Sequence, residues 1–291
     1  KQMFDSSMQR QFMKDNISSA LYTVDMVPLT FEDTQNDCGL FGLRREDNND
    51  FLGSCSDRYG ITQNADFIQA IDECLTTLNF GQFNRNAIIA GGGKRCFIEY
   101  DFIDDLVSVG ASTKDKLGLR ITALNSFDKT LLRGFRVGLW REICTNGMIG
   151  FDVDLTIEDR HTKNNTTIDK AAITRALLES KAHFTNAISS YQEMVKVDLT
   201  GKGKALFKYM VDSKVVRKRM ADSVEEIWDA PTFDLDSDRN LYNFLNAWTQ
   251  FLDSPHSDYR EKYYDSVQDW KVKVFTCLKL VDDGFVNKLN N

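Results

Sequence analysis

Between Ala87 and Leu139 four segments rich in β-branched and aromatic residues follow one another: Ala87–Ala90, Cys96–Phe102, Leu117–Asn125 and Arg133–Leu139. Past Asn146-Gly147 the apolar residues change to helical spacing. Strands gathered in one half and helices in the other do not build the alternating pattern of a parallel α/β sheet. The chain therefore reads as α+β, with an antiparallel sheet and helices in the N-terminal half and a helical C-terminal half. The expected division is 1–155, an α+β sheet domain, and 156–291, a mainly helical region packing on it or continuous with it. Gly91-Gly92-Gly93 joins the first two strands. It lacks the helix and the Lys-Ser/Thr pair of a phosphate loop, so it reads as a tight turn.

The remaining elements follow from spacing. Met8, Phe12, Ile17 and Leu21 give residues 4–22 a helical pattern. Residues 38–62 read as irregular to extended, with a hairpin turn at Glu46–Asp50. A helix starts at Asn64, buries Phe67, Ile68, Ile71, Leu75 and Leu78, and ends before Gly81. In the second half, Thr167 caps a long helix whose face runs from Ala172 to Val195. Further helices are expected over 204–220, 238–252 and 258–280.

Composition closes off several classes. No window approaches the roughly 18 apolar residues of a membrane span, and the first dozen residues lack a signal-peptide core. The chain reads as intracellular and cytoplasmic. Its six cysteines are scattered, with no CxxC pair, and read as buried thiols. The three histidines, His161, His183 and His256, have no partner at metal-ligand spacing. No nucleophile elbow, HExxH, Walker or dinucleotide fingerprint is present, so no catalytic residue and no cofactor is assigned. Three acidic clusters stand out: Glu99/Asp101/Asp104/Asp105, Asp152/Asp154/Glu158/Asp159 and Asp234/Asp236/Asp238. Asp152 and Asp154 share one strand face, the geometry a nuclease needs for Mg²⁺. No basic partner follows, so no metal site is assigned. The aspartates of 234–238 are read as favourable charges at the start of the next helix.

The net charge is −7, yet it is unevenly placed. Residues 163–220 hold 12 basic and 5 acidic groups, whereas 1–92 hold 7 and 13 and 221–291 hold 7 and 14. The stretch from Lys116 to Arg141 holds Lys116, Arg120, Lys129, Arg133, Arg136 and Arg141 against Asp128 alone. Basic side chains interleaved with aromatics suit a polyanion with stackable bases. Strand alternation puts Phe135 with the core and makes Arg136 and Trp140 the expected surface pair. Lys94 and Arg95 follow the glycine turn. Lys202, Lys204 and Lys208, with Arg217, Lys218 and Arg219, offer a second basic wall.

Four segments then match a known pattern in order. They are GLRREDNNDFLGSCSDRYGITQNADFIQAID (42–72), AGGGKRCFIEYDF (90–102), LRITALNSFDKTLLRGFRVGLWREICTNGMI (119–149) and NLYNFLNAWTQFLDS (240–254). Together they resemble the phage- and plasmid-type "domain of unknown function 932" family. This chain departs from the family where a histidine and a glycine usually stand in the central turn: Phe127 and Lys129 flank Asp128 here. The family's setting implies DNA metabolism, in a host cytoplasm where a phage encodes it. The α+β layout is also loosely similar to single-strand annealing proteins of the RecT and Beta type. The leading expectation is a non-catalytic single-stranded DNA-binding or annealing protein, with self-association open and no membrane partner. A phage structural or protein-interaction component is the runner-up, and a metal-dependent nuclease the third reading.

Overall fold

The structure, a computed structural model, describes residues 12–110, 114–142, 147–148, 168–253 and 257–289. Its first half holds β1 (Phe12–Asn16), β2 (Val24–Thr30), β3 (Asp37–Arg45), β4 (Phe51–Cys55), α1 (Asn64–Thr77), β5 (Phe83–Ala90), β6 (Arg95–Phe102), β7 (Val107–Ser108), β8 (Lys116–Ser126), β9 (Gly134–Arg141) and β10 (Gly147–Met148). The second half holds α2 (Lys170–Lys196), α3 (Gly203–Asp212), α4 (Lys218–Asp229), α5 (Leu241–Leu252), α6 (Ser257–Leu278) and α7 (Asp283–Val286). The α+β class, with antiparallel sheets first and helices after, holds.

The larger sheet runs β1-β5-β6-β8-β9-β10, with β7 added beside β8. Its centre is antiparallel, with Asp101 opposite Arg120 and Arg95 opposite Ser126. Among the described strands β1 breaks the rule, lying parallel to β5. A second sheet, β2-β3-β4, is an antiparallel meander. All four strands expected from β-branched and aromatic content are present. The Gly91–Gly93 turn joins β5 to β6, and Gly93 takes φ +106. A Cβ at Gly93 would stand 2.8 Å from Arg45 Cδ, so a side chain is excluded by both backbone and space.

Two expectations need correction. The described part of 4–22 is not a helix: residues 12–16 form β1, followed by a short 3-10 turn at Ser18–Ala20. Pairing with β5, a tertiary contact, overrides the local pattern there. The 204–220 helix is two helices, α3 and α4. Lys214 sits at φ +58 between them, and the Val215 and Val216 amides both turn back to the Met210 carbonyl. Burial of Val216 accounts for the reversal. Caps also shift by a residue or more. Gln63 occupies the cap position of α1, Asp169 accepts from the Ala171 and Ala172 amides at the start of α2, and Asn240 accepts from the Asn243 amide at the start of α5. Thr167 lies outside the described residues.

The chain divides into two units. The first comprises 1–104, 120–137 and 153–181. Its core has α1 against β9 through Phe67 and Phe135, with ring centroids 5.7 Å apart, and a cluster of Phe80, Phe83, Tyr100 and Phe102. The inner face of the three-stranded sheet joins Tyr22, Val24, Leu43, Leu52, Cys55, Tyr59 and Phe127 in one apolar cluster. The second unit comprises 105–119, 138–152 and 182–291. Its centre is aromatic: Tyr191 meets Tyr242 and Phe275, and Phe207 meets Phe244 and Trp248. Helices α3 and α4 come close because residue 203 is glycine. A Cβ there would lie 2.5 Å from the Trp228 indole nitrogen.

Candidate nucleic-acid interface

The basic stretch 116–141 is rich in arginine, but most of that charge is spent inside the protein. Arg120 of β8 faces Asp101 across the β6–β8 ladder and grips it through Nε and Nη2, at 2.5 and 2.7 Å. Its Nη1 donates to Glu99, one step along the same face, at 3.2 Å. Arg141, at the end of β9, grips Asp115 through Nε and Nη2 at 2.6 and 2.7 Å and reaches Asp236 through Nη1 at 3.1 Å. Burial works against its charge, but the Asp115 and Asp236 hydrogen bonds win and raise its pKa further. Arg85 repeats the pattern with Asp15 and Asp72. Each of these three buried arginines thus holds two carboxylates. A guanidinium already matched by two anions has no surplus charge for a phosphate.

Arg133 is also interior, at 3 % exposure, and donates through Nη1 to Thr62 Oγ1 at 2.7 Å with its guanidinium near the Phe67 ring. Trp140 is 6 % exposed and is a core side chain. The expected surface roles of Arg120, Arg133, Trp140 and Arg141 are therefore corrected: alternation along a strand sorts two faces, but both faces of β9 are covered here. Phe135 is buried as expected. Arg95, Lys116 and Arg136 are half-buried, and Arg95 and Arg136 have partners within the protein.

Three residues do gather at one end of the first unit. Lys94 ends the glycine turn, its carbonyl accepts from the Phe127 amide at 2.8 Å, and Arg95 lies opposite Ser126. Lys129 follows in the next turn at φ +64, exposed. That turn is built by its own side chains. Asp128 accepts from the Thr130 amide, Ser126 accepts from the Leu131 amide, and Asn125 donates to the Thr62 carbonyl and Asn64.

The second basic wall is partly neutralised. Lys204 pairs with Glu225 at 3.4 Å, Lys208 with Asp212 at 2.7 Å and Lys218 with Asp222 at 2.8 Å. Lys202 donates to the Leu289 carbonyl. Arg217 behaves differently. It stands at the N-cap of α4, exposed, with its guanidinium 6.0 Å from the centroid of the Trp270 ring on α6. Lys273 approaches the same ring to 4.9 Å. Among the described residues neither cation has an ion pair. Trp270 is half-buried, so part of its ring is open. Two cations thus stand around one partly open indole, positive charge beside an aromatic face. Arg219 in the first turn of α4 is exposed too, and no acid accompanies it there. Sequence reading singled out Arg217 but not Trp270 or Lys273. The Trp-x-x-Lys spacing on α6 was visible, but its meeting with Arg217 is tertiary.

The other candidate chemistry resolves into structure. Asp236 serves Arg141 and accepts from Asn246, so it is an ion-pair partner rather than a helix-dipole charge. Asp104 accepts from the Gln82 amide. Asp152, Asp154, Glu158, Asp159, Cys144, His161 and His256 lie outside the described residues. His183 is half-buried on α2. Cys55, Cys74 and Cys96 are buried, and burial pushes the Cys96 thiol up to about 12. Cys38 and Cys277 are half-buried. Among the described residues, no three His, Cys, Asp or Glu side chains are placed to hold a metal ion, and no helix is long and apolar enough to cross a membrane.

No curated protein and no solved structure matches the chain. A family model does match, over residues 51–272, which takes in α1, the centre of the larger sheet and helices α2 to α5. The chain belongs to the family described as Domain of unknown function (DUF932).

Proposed function

We propose that this chain is a non-catalytic protein that binds single-stranded DNA, working in phage- or plasmid-type replication or recombination in the cytoplasm. The observation that carries the reading is the Arg217–Trp270–Lys273 cluster. It supplies a partly open aromatic face and two cations with no ion pair among the described residues. A single strand exposes base faces to stack on such a ring, whereas a duplex hides them. Phosphate contacts then give the salt dependence expected of counterion release. Strand annealing and self-association are the finer parts of the proposal.

The test is fluorescence anisotropy with labelled oligo-dT at about 50 and about 200 mM salt. Micromolar or tighter binding that weakens with salt is expected. Arg217→Ala with Lys273→Ala should lower the salt slope by about one to two, since each lost phosphate contact releases fewer counterions. An unchanged slope would move the interface to the Lys94–Arg95–Lys129 end. Absence of binding at low salt by folded protein would reject the reading.

One observation favours a protein-interaction role as the second reading. On the outer face of β2-β3-β4, Leu40 and Phe51 are 44 % and 57 % exposed, and a Cβ on Gly42 would touch both Leu29 and Phe51. Apolar side chains grouped this way mark contact surfaces.

A further inference from the structure

The outer face of β2-β3-β4 carries an apolar strip open to solvent. Strand register sets Val27, Gly42 and Ser54 in one row across it and Asp25, Arg44 and Phe51 in the next. Leu29 and Phe51 lie over Gly42, where a Cβ would meet them at 3.1 and 3.2 Å. Leu40, two residues before Gly42, continues the strip along β3. Leu40 and Phe51 are exposed, as is Phe31 in the turn after β2.

The charge around this strip is one-sided. Residues 24–55 hold seven acids and two arginines. Both arginines are taken: Arg44 pairs with Asp25 at 2.6 Å, and Arg45 with Asp47 at 2.6 Å. Glu32, Asp33 and Asp37 stand in or beside the turn after β2, and Glu46 and Asp50 in the turn after β3. All five are exposed, and among the described residues none has an ion pair. The two turns lie at opposite ends of β3, whose 9 residues span roughly 30 Å.

That pattern decides between occupants. A sheet with an apolar face buries it against another layer, and a helix laid on the sheet is one of the stable solutions. Strand addition along β2 is hindered, because Pro28 offers no amide there. Nucleic acid and anionic lipid would meet uncompensated carboxylates at both ends. A second copy of the face would set acids against acids. A helix with cations toward both ends meets complementary charge at each turn.

We infer that this face docks an amphipathic helix of a partner protein, apolar along its middle and bearing lysine or arginine toward both ends. A helix of about 20 residues is roughly 30 Å long, enough to reach both turns. The apolar strip supplies attraction, and the acidic turns supply selection. The inference rests on the protein-interaction reading of this face and not on nucleic-acid binding by the helical unit.

The probe is a labelled helical peptide of about 20 residues, with leucine along one face and lysine in its first and last turns. A second peptide carries glutamate in place of every lysine. Fluorescence anisotropy with the whole chain is the measurement. The lysine peptide should bind, less tightly as salt rises, and the glutamate peptide about tenfold more weakly or worse. Leu40→Ser with Phe51→Ser should lower affinity for the lysine peptide about tenfold or more, since these side chains supply the buried apolar area. Glu32→Gln with Asp33→Asn and Glu46→Gln should lower it about threefold to tenfold. Removing three exposed acids outside the sheet, by Asp57→Asn with Glu179→Gln and Glu226→Gln, should leave affinity unchanged. All the substituted side chains are exposed, and thermal melts confirm that each variant is folded.

Equal binding of the two peptides would leave a docking face but overturn the basic partner. Binding of neither would overturn the protein-interaction reading as well. Unchanged affinity in the serine variant, or an equal loss in the variant outside the sheet, would also overturn the inference. Self-association abolished by the serine substitutions would give the face to a second copy, and loss of oligo-dT binding in that variant would give it to nucleic acid.

Discussion

The guanidinium of Arg141 holds the carboxylate of Asp115 through two near-parallel hydrogen bonds, 2.6 and 2.7 Å long, with both side chains buried. Asp236 closes the group from another segment of the same unit. Removing the arginine strands two buried carboxylates. Arg141→Met should therefore cost about 3–5 kcal/mol, the usual penalty for breaking a buried pair from one side. Urea unfolding of the variant checks this. A cost under about 1 kcal/mol would mean that water or protonation readily relieves the acids.

Arg133 offers a contrast with Arg217. Its guanidinium is engaged with Thr62 in the interior. Arg133→Ala should lower stability by about 1–3 kcal/mol through the lost hydrogen bond and packing. The salt slope of oligonucleotide binding per folded molecule should not change. A lower slope for Arg133→Ala, with Arg217→Ala silent, would reverse the assignment of the two residues.

The basis of that contrast was only half visible in the sequence. Strands 87–90, 96–102, 117–125 and 133–139 were legible because β-branched and aromatic residues bounded by turn residues are a local signal. The long helices α2, α5 and α6 were legible for the same kind of reason, their apolar spacing. What failed depends on distant partners. β1 is a strand only because β5 lies beside it, and Lys214 breaks α3 from α4 without a glycine or proline to announce it. The arginines were visible as charge, but Asp101, Asp115 and Asp236 neutralise them from other segments. Trp270 lies within the helix expected over 258–280, and only the fold brings Arg217 to it.

Asp72 should make stability depend on pH. Burial pushes its carboxyl up from the ordinary 3.8 to about 6, although Arg85 pulls the other way. Arg85 also serves Asp15, so it does not fully offset the burial. Between those two pH values the folded protein holds a proton that the unfolded chain has released. The site's contribution to stability is therefore greatest at and below about pH 4, falls as pH rises to about 6, and is level above. The full change is about 3 kcal/mol. Asp72→Asn cannot titrate. The urea midpoint of the parent minus that of Asp72→Asn should fall across this window. A flat difference would show that Arg85 keeps Asp72 charged throughout.

Tyr242→Phe deletes a buried hydroxyl that makes no well-formed hydrogen bond among the described residues and keeps the ring against Tyr191. Loss of an unsatisfied buried group should leave stability unchanged or raise it by about 1 kcal/mol. Thermal unfolding without added ligand is the measurement, and a drop of about 2 kcal/mol would reveal a hydrogen bond that the hydroxyl does make.

Arg217 and Trp270 stand about fifty residues apart along the chain, and they meet only when α4 and α6 are packed in the folded helical unit. If that meeting grips a strand, affinity for oligonucleotide becomes a readout of intact tertiary structure. A nascent or partly melted chain, though it carries the same basic residues, would pass over single strands that the finished protein retains.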